Sequence, residues 1–264
     1  MSYSVLVKRE GAIAEVWINR PDKHNAVDMS VFEGLAKVGE DLRNDPSVRA
    51  IILTGSGDNF CSGIDISLFT SGMSPADLNN KIMEFGDGEV ANTFQKPAYI
   101  WQEIEVPVIA ALQGVVYGAG AQIALGADFR LAAPNTRMSV MEIKWGLIPD
   151  MSITRTLPRL VRSDVAKELI FTGRVVEARE AAEIGLLTRI VDDPLSEARA
   201  MAELILTKNP DAIRRGKRLI NDSWTGDPAD TLKLEAHLQT ELIGSSNQLE
   251  AVFANMQKRP PKFS

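Results

Sequence analysis

The sequence predicts an α/β fold. Three observations predict it. Short β-rich apolar runs alternate with helical periods as far as about Pro194, only helical periods remain beyond that point, and no segment rich in Pro, Gly or Ser separates the two parts. A chain of 264 residues with 45% hydrophobic and 24% charged side chains carries enough apolar surface for one large core. The expected division is residues 1–193 as the strand-and-helix core and residues 194–264 as a helical region that caps it or serves oligomerisation.

Taken in order, residues 4–9 and 12–18 are β-rich and flank Glu10-Gly11, which reads as a hairpin. Asp28 and Ser30 are cap residues for a helix to about Asn44, with Val31, Leu35, Val38 and Leu42 on one face. Residues 50–54 are a short apolar run of the kind buried in a parallel sheet. Residues 55–63 read as a loop, and residues 75–101 as mostly helical, carrying Met83, Phe85, Phe94 and Trp101. Pro107 opens a strand at 108–112, and a glycine-rich turn leads into a helix at 118–125. Strands are expected again at 129–132 and 138–140. The closing helices are expected at 195–208, 211–221, 228–243 and 247–256.

Composition narrows the function. The net charge is −6 and there is no basic run, so a nucleic-acid partner is not expected. Cys61 is the one cysteine, which rules out an intramolecular disulfide and fits a reducing compartment, so the cytoplasm is the expected location. The first residues lack the charged-then-apolar pattern of a signal peptide, and no apolar run reaches membrane-spanning length, so no membrane association is expected. The two histidines, His24 and His237, form no cluster with Cys61, which argues against a zinc site or a Ser-His-Asp triad; no metal is expected.

Two loops carry the chemistry. In residues 55–66 a strand ends, a glycine-containing loop follows and a short helix is expected near Asp65, with Gly63 permitting a tight turn just before Ile64. In residues 112–123 a strand again leads into glycines and a helix, placing the N–H of Ala119 at a helix start, where negative charge is favoured. Two such N–H groups aimed at one carbonyl oxygen make an oxyanion hole. Either loop alone is more often an ordinary glycine turn. A dinucleotide fingerprint does not fit, because Ile123 stands where its third small residue belongs.

Together the loops resemble the crotonase family of enoyl-CoA hydratases and isomerases. The resemblance runs through Asn19-Arg20-Pro21-Asp22-Lys23-His24-Asn25-Ala26, Phe60-Cys61-Ser62-Gly63-Ile64-Asp65-Ile66, residues 114–128, residues 141–150, Phe171-Thr172-Gly173-Arg174 and Lys258-Arg259-Pro260-Pro261-Lys262-Phe263. It implies a spiral of repeated ββα units with a C-terminal helical trimerisation region, and hence a homotrimer or a hexamer made of two trimers. It implies an acyl-CoA thioester as substrate, coenzyme A being part of that substrate and not a separate cofactor. Ile64 and Ala119 would hold the thioester oxygen. Lys23, His24 and Ala26 would lie along the nucleotide, and Ser62, Gly63, Asp65 and Ile66 along the pantetheine and thioester. Lys262 and Phe263 would reach a neighbouring subunit's ligand. Tyr117, Gly118, Gln122 and Pro149 complete the expected substrate-binding set.

The family's hydratases use two carboxylates. Glu142 matches one, but Gln122 stands at the other position, and an amide is no carboxylate base. Asp150, eight residues after Glu142, resembles the second acid of dienoyl-CoA isomerases, although those usually carry a third acid where Gln122 stands. This makes Glu142 and Asp150 the expected acid/base pair of a double-bond-shifting isomerase, without saying which abstracts the proton. Two other readings stay open: a hydratase using Glu142 with Gln122 holding the water, and a silent acyl-CoA-binding subunit. Bland readings stand beside these. Asp150 could cap the following helix, Cys61 reads as a packing residue, and His24 and His237 as surface residues. Phe69, Phe85, Phe94 and Trp101 read as core with a share in the acyl pocket.

Overall fold

Gly11 takes a positive φ of 55°, which closes the turn between β1 (Val5–Glu10) and β2 (Ile13–Ile18). This hairpin opens the structure, a computed structural model that describes residues 3–70 and 74–264. Helix α1 (Met29–Arg43) is capped by Asp28, whose carboxylate accepts the Val31 N–H; Ser30 lies inside the first turn and donates to Asp28 instead of capping. Then come β3 (Ala50–Gly55), α2 (Ser67–Thr70), α3 (Pro75–Ile82) and α4 (Lys96–Glu103). The mostly helical stretch expected over residues 75–101 is broken over residues 83–95. Gly88 takes a positive φ of 76°, and the Asn92 side chain accepts the N–H groups of Phe94 and Gln95 to turn the chain.

The mixed part continues with β4 (Val108–Leu112), β5 (Val115–Tyr117), α5 (Ala119–Leu125), β6 (Phe129–Ala132) and β7 (Arg137–Ser139). It ends with α6 (Ile153–Thr156), α7 (Ser163–Thr172), β8 (Val176–Glu177), α8 (Ala178–Glu183) and β9 (Arg189–Ile190). Four helices close the chain: α9 (Pro194–Leu206), α10 (Pro210–Ser223), α11 (Pro228–Leu242) and α12 (Ser246–Met256). Each starts on a capping side chain, from Asp193, Asn209, Asp227 and Ser245 in turn.

The main sheet runs β1-β2-β3-β4-β6-β9; the β1–β2 pair is antiparallel and the other pairs are parallel. A second sheet, β5-β7-β8, lies beside it. Bridges between Val27 and Ile64 and between Cys61 and Val116 extend that second ladder back toward the N-terminus. The chain thus makes repeated circuits: a strand in the main sheet, a short extended piece in the second ladder, then a helix. This is the expected ββα spiral of the crotonase fold.

Both faces of the main sheet are covered, which is why its central strands read as unbroken apolar runs. Ile51, Leu53, Val108 and Ala110 face one cluster with α1, α4 and α5, including Phe32, Leu35, Ile100 and Trp101. Ala50, Ile52, Ile109 and Ala111 face the other, closed by Ala198 and Ala202 of α9. Trp101 is fully buried, its indole N–H donating to the Pro97 carbonyl, and Phe94 meets Phe32 edge-on at 5.3 Å. Phe85, by contrast, is exposed, and the side chain of Phe69 lies outside the described part of the structure. Among the described residues no helix is long and apolar enough to cross a membrane.

Candidate active site

The second and third circuits of the spiral bring the two glycine loops together. After β3 the chain passes Cys61 and Gly63, where φ is 102°. After β5 it passes Gly118, where φ is 51° and ψ is −119°. Both are positions for glycine. A Cβ on Gly63 would sit 3.1 Å from the Tyr117 carbonyl, and one on Gly118 would sit 3.8 Å from the Gly63 Cα. The first turn of α5 is pressed still more closely on the other loop, since a Cβ on Gly120 would lie 2.6 Å from that of Cys61. Cys61 is therefore a buried packing residue, and burial pushes its thiol up to about 12.

Two backbone donors emerge from this contact. Val27 pairs with Ile64 in a parallel bridge through Val27 N–H to Gly63 O at 2.8 Å and Asp65 N–H to Val27 O at 2.9 Å. The N–H of Ile64 points the other way and makes no hydrogen bond among the described residues. Ala119 is the first residue of α5, so its N–H has no partner within the helix. Both residues line one cleft of about 400 Å³, with Lys23, Ala26, Ser62, Gly63, Asp65, Ile66, Tyr117 and Gly118.

Glu142 also lines that cleft, in a 3-10 turn at Glu142–Trp145, and is 8% exposed. Its Oε1 lies 3.4 Å from where a Cβ on Gly118 would be and accepts a 2.7 Å hydrogen bond from Gln122 Nε2. Its Oε2 is buried and has no partner among the described residues. Burial pushes Glu142 above the ordinary carboxylate range; the Asp150 charge adds to this, and the Gln122 hydrogen bond opposes it.

The other expected residues fall outside the cleft lining. Gln122 is buried behind Glu142, and Pro149 is buried in the turn that follows. His24, in a left-handed conformation, is exposed with Nδ1 3.1 Å from the Asn59 amide nitrogen. Asp150 does not cap the next helix, because Ser152 precedes α6 with no side-chain cap. Its residue surface is open to solvent, while the protein around its carboxyl pushes it above the ordinary range; the solvent contact limits that push.

Sequence reasoning missed five contributors. Met141, Lys144, Trp145 and Leu147 line the cleft from the Glu142 turn, with Lys144 Nζ 5.6 Å from the Trp145 ring centre. Arg20 braces the opposite wall, donating to the Ala26 carbonyl and pairing with Asp65 at 2.9 Å and Asp28 at 3.0 Å. The Asp65 carboxylate is thereby committed to structure as well as to the cleft edge. Nothing local in the sequence marks Arg20 for this, since its partners lie up to 45 residues away. Among the described residues no group of three or more His, Cys, Asp or Glu side chains is arranged to hold a metal.

A ββα spiral whose glycine turns meet beside a buried carboxylate defines the crotonase class of proteins. The model of the enoyl-CoA hydratase/isomerase family matches residues 8–264. A crotonyl-CoA hydratase from Syntrophomonas wolfei is 32% identical over 267 residues, covering all of this chain and 99% of its own. A short-chain-enoyl-CoA hydratase from Clostridium acetobutylicum is 32% identical over 260 residues, covering 97% of this chain and 95% of its own. The crystal structure of an enoyl-CoA hydratase from Bacillus anthracis superposes with a TM-score of 0.90 at 28% identity, covering 98% of each chain. The protein belongs to the enoyl-CoA hydratase/isomerase family.

Proposed function

We propose that the protein moves a C=C double bond in an unsaturated acyl-CoA through an enolate. The observation that carries this reading is the buried carboxylate of Glu142, its Oε1 beside the Gly118 turn, in one cleft with the free N–H groups of Ile64 and Ala119. A thioester oxygen held by those two donors would gain charge as a proton leaves C2, and each donor of such a pair contributes about 3–4 kcal/mol to the transition state. Glu142 stands next to that oxygen site, so it takes the C2 proton. The C2–H electron pair enters the conjugated system, the double bond shifts, and a proton returns farther along the chain. In a 3-enoyl ester Glu142 itself returns it at C4. In a 3,5-dienoyl ester Asp150, in its protonated form, supplies the proton at C6, and Glu142 then loses its proton and Asp150 regains one through solvent before the next turnover. Substrate and product are isomers with the same carbon skeleton, so the reaction needs no oxidant and changes no composition.

The names of the relatives favour a second reading, addition of water to a 2-enoyl-CoA. Glu142 would then activate the water and deliver the C2 proton. The neutral Gln122, hydrogen-bonded at both ends, supports the isomerase reading over this one, since it supplies no second base. Purified protein offered a 3,5-dienoyl-CoA and, separately, a 2-enoyl-CoA, followed by ultraviolet absorbance, separates the two. Rapid hydration without isomerisation overturns the lead reading. Glu142→Gln is expected to lower either activity by about 10²–10⁴-fold while acyl-CoA still binds in calorimetry. Asp150→Asn is expected to cripple dienoyl isomerisation alone; full activity in that variant reduces Asp150 to a solvated bystander. Binding of acyl-CoA with no turnover on any unsaturated ester would mark a silent binding subunit.

The assembly is part of the proposal. Helices α11 and α12 expose Leu232, Leu249, Val252, Phe253 and Met256, and the cleft turn exposes Trp145 and Ile148. Apolar surface of this extent supports burial against further copies of the chain as a trimer or a pair of trimers.

A further inference from the structure

Gln122 lies on α5, one turn beyond Ala119, and is 1% exposed. Its amide makes two hydrogen bonds of opposite polarity. Oε1 accepts the Met151 N–H at 2.8 Å, and Nε2 donates to Glu142 Oε1 at 2.7 Å. A backbone N–H can only donate, so the Met151 bond decides which end of the amide is which and leaves Nε2 facing Glu142. The consequence falls on the carboxylate. Oε1 is occupied and Oε2 is left without a partner. Met151 also follows Asp150 directly, so the same amide ties down the turn that carries the second acid.

We propose that Gln122 is a positioning residue: its amide, oriented by the Met151 N–H, fixes Glu142 Oε1 beside the Gly118 turn and keeps the site behind Glu142 neutral so that this carboxylate can ionise. The inference rests on the reading of Glu142 as the proton-transfer group. Gln122 itself does not line the cleft and acts through Glu142. The other charged groups around Glu142 are Asp150 in the following turn and Lys23, Asp65 and Lys144 at the cleft. Glu168, on the α7 helix packed against the Glu142 turn, is paired with Arg174. Removing the amide donor takes away a hydrogen bond to the ionised form of Glu142. Replacing the amide by a carboxylate does this and adds a like charge. Both changes raise the pH at which Glu142 ionises.

The test is the ionisation of Glu142 in Gln122→Met, which keeps the length and loses both hydrogen bonds, and in Gln122→Glu, which keeps an acceptor for the Met151 N–H. The carboxyl band of Glu142 is followed by infrared difference spectroscopy against pH, assigned by subtracting the Glu142→Gln spectrum. The expected result is a midpoint raised by about one pH unit or more in both variants, and further in Gln122→Glu. With a 3,5-dienoyl-CoA, kcat is expected to fall about tenfold or more while KM stays within about twofold, because binding groups are untouched. A midpoint unmoved in the folded variants overturns the proposal, even if their thermal stability falls. Should Gln122→Met fail to fold, Gln122→Glu decides alone. The infrared midpoint needs no turnover. A wild-type protein inactive on every enoyl ester therefore refutes the functional reading, while the midpoint still answers for Gln122.

Discussion

Gly118 combines a φ of 51° with a ψ of −119°, and Glu142 Oε1 lies against it. Its positive φ sets the backbone turn that places Ala119 at the start of α5. The pH dependence belongs to this scale. Glu142 acts as a base only when ionised, and burial holds its folded-state value above the usual carboxylate range of about 4.3. kcat/KM is therefore expected to rise with pH through an acid limb above that value and to level off beyond it; a limb at or below it would show that Glu142 is not the base. The sign for stability is opposite. A carboxyl with a raised value favours folding below the unfolded value and loses that advantage as pH rises through the folded one. Glu142→Gln is therefore expected to keep or raise the melting temperature at pH 7 while removing turnover, read by calorimetry. Glu142, Ile64 and Ala119 were legible as motif residues. Arg20 was not, because its meaning lies in Asp65 and the Ala26 carbonyl across a loop.

At the scale of elements, α10 is held to the body by Lys217. This buried ammonium donates to the carbonyls of Trp101 and Val106 at 2.9 and 3.0 Å and pairs with Asp128 at 2.8 Å. Asp128 in turn accepts the Val108 N–H, so one charge pair joins α10, the end of α4, β4 and the approach to β6. Lys217→Ala leaves two carbonyls and a carboxylate without their donor and is expected to cost about 3–5 kcal/mol, read as a lower urea midpoint. An unchanged midpoint would mean that water replaces the ammonium. Long elements with clear periods, such as α1 and the four closing helices, were readable to within a few residues. β5, β8 and β9 were not, since two or three residues carry no period and exist as strands only through the partners they meet. The stretch 83–95 misled for the converse reason: helix-compatible residues there yield to the Gly88 turn and the Asn92 side chain.

At the scale of the molecule, the C-terminal helical region divides by what it covers. Helix α9 closes the outer face of the sheet with Ala198 and Ala202, whereas α11 and α12 leave apolar side chains in solvent. Light scattering is expected to give the mass of three or six chains, and Phe253→Asp, which puts a charge in that surface, is expected to lower it. A monomeric wild type would refute the assembly. The sequence by itself determined the fold class, the family and the two glycine turns, because strand-and-helix alternation and positive-φ glycines are local properties of the chain. Only the tertiary structure decided how the acids differ. Burial and the amide of Gln122 are set by segments far apart in the chain. They make Glu142 a buried carboxylate with one free oxygen and leave Asp150 at the solvent edge.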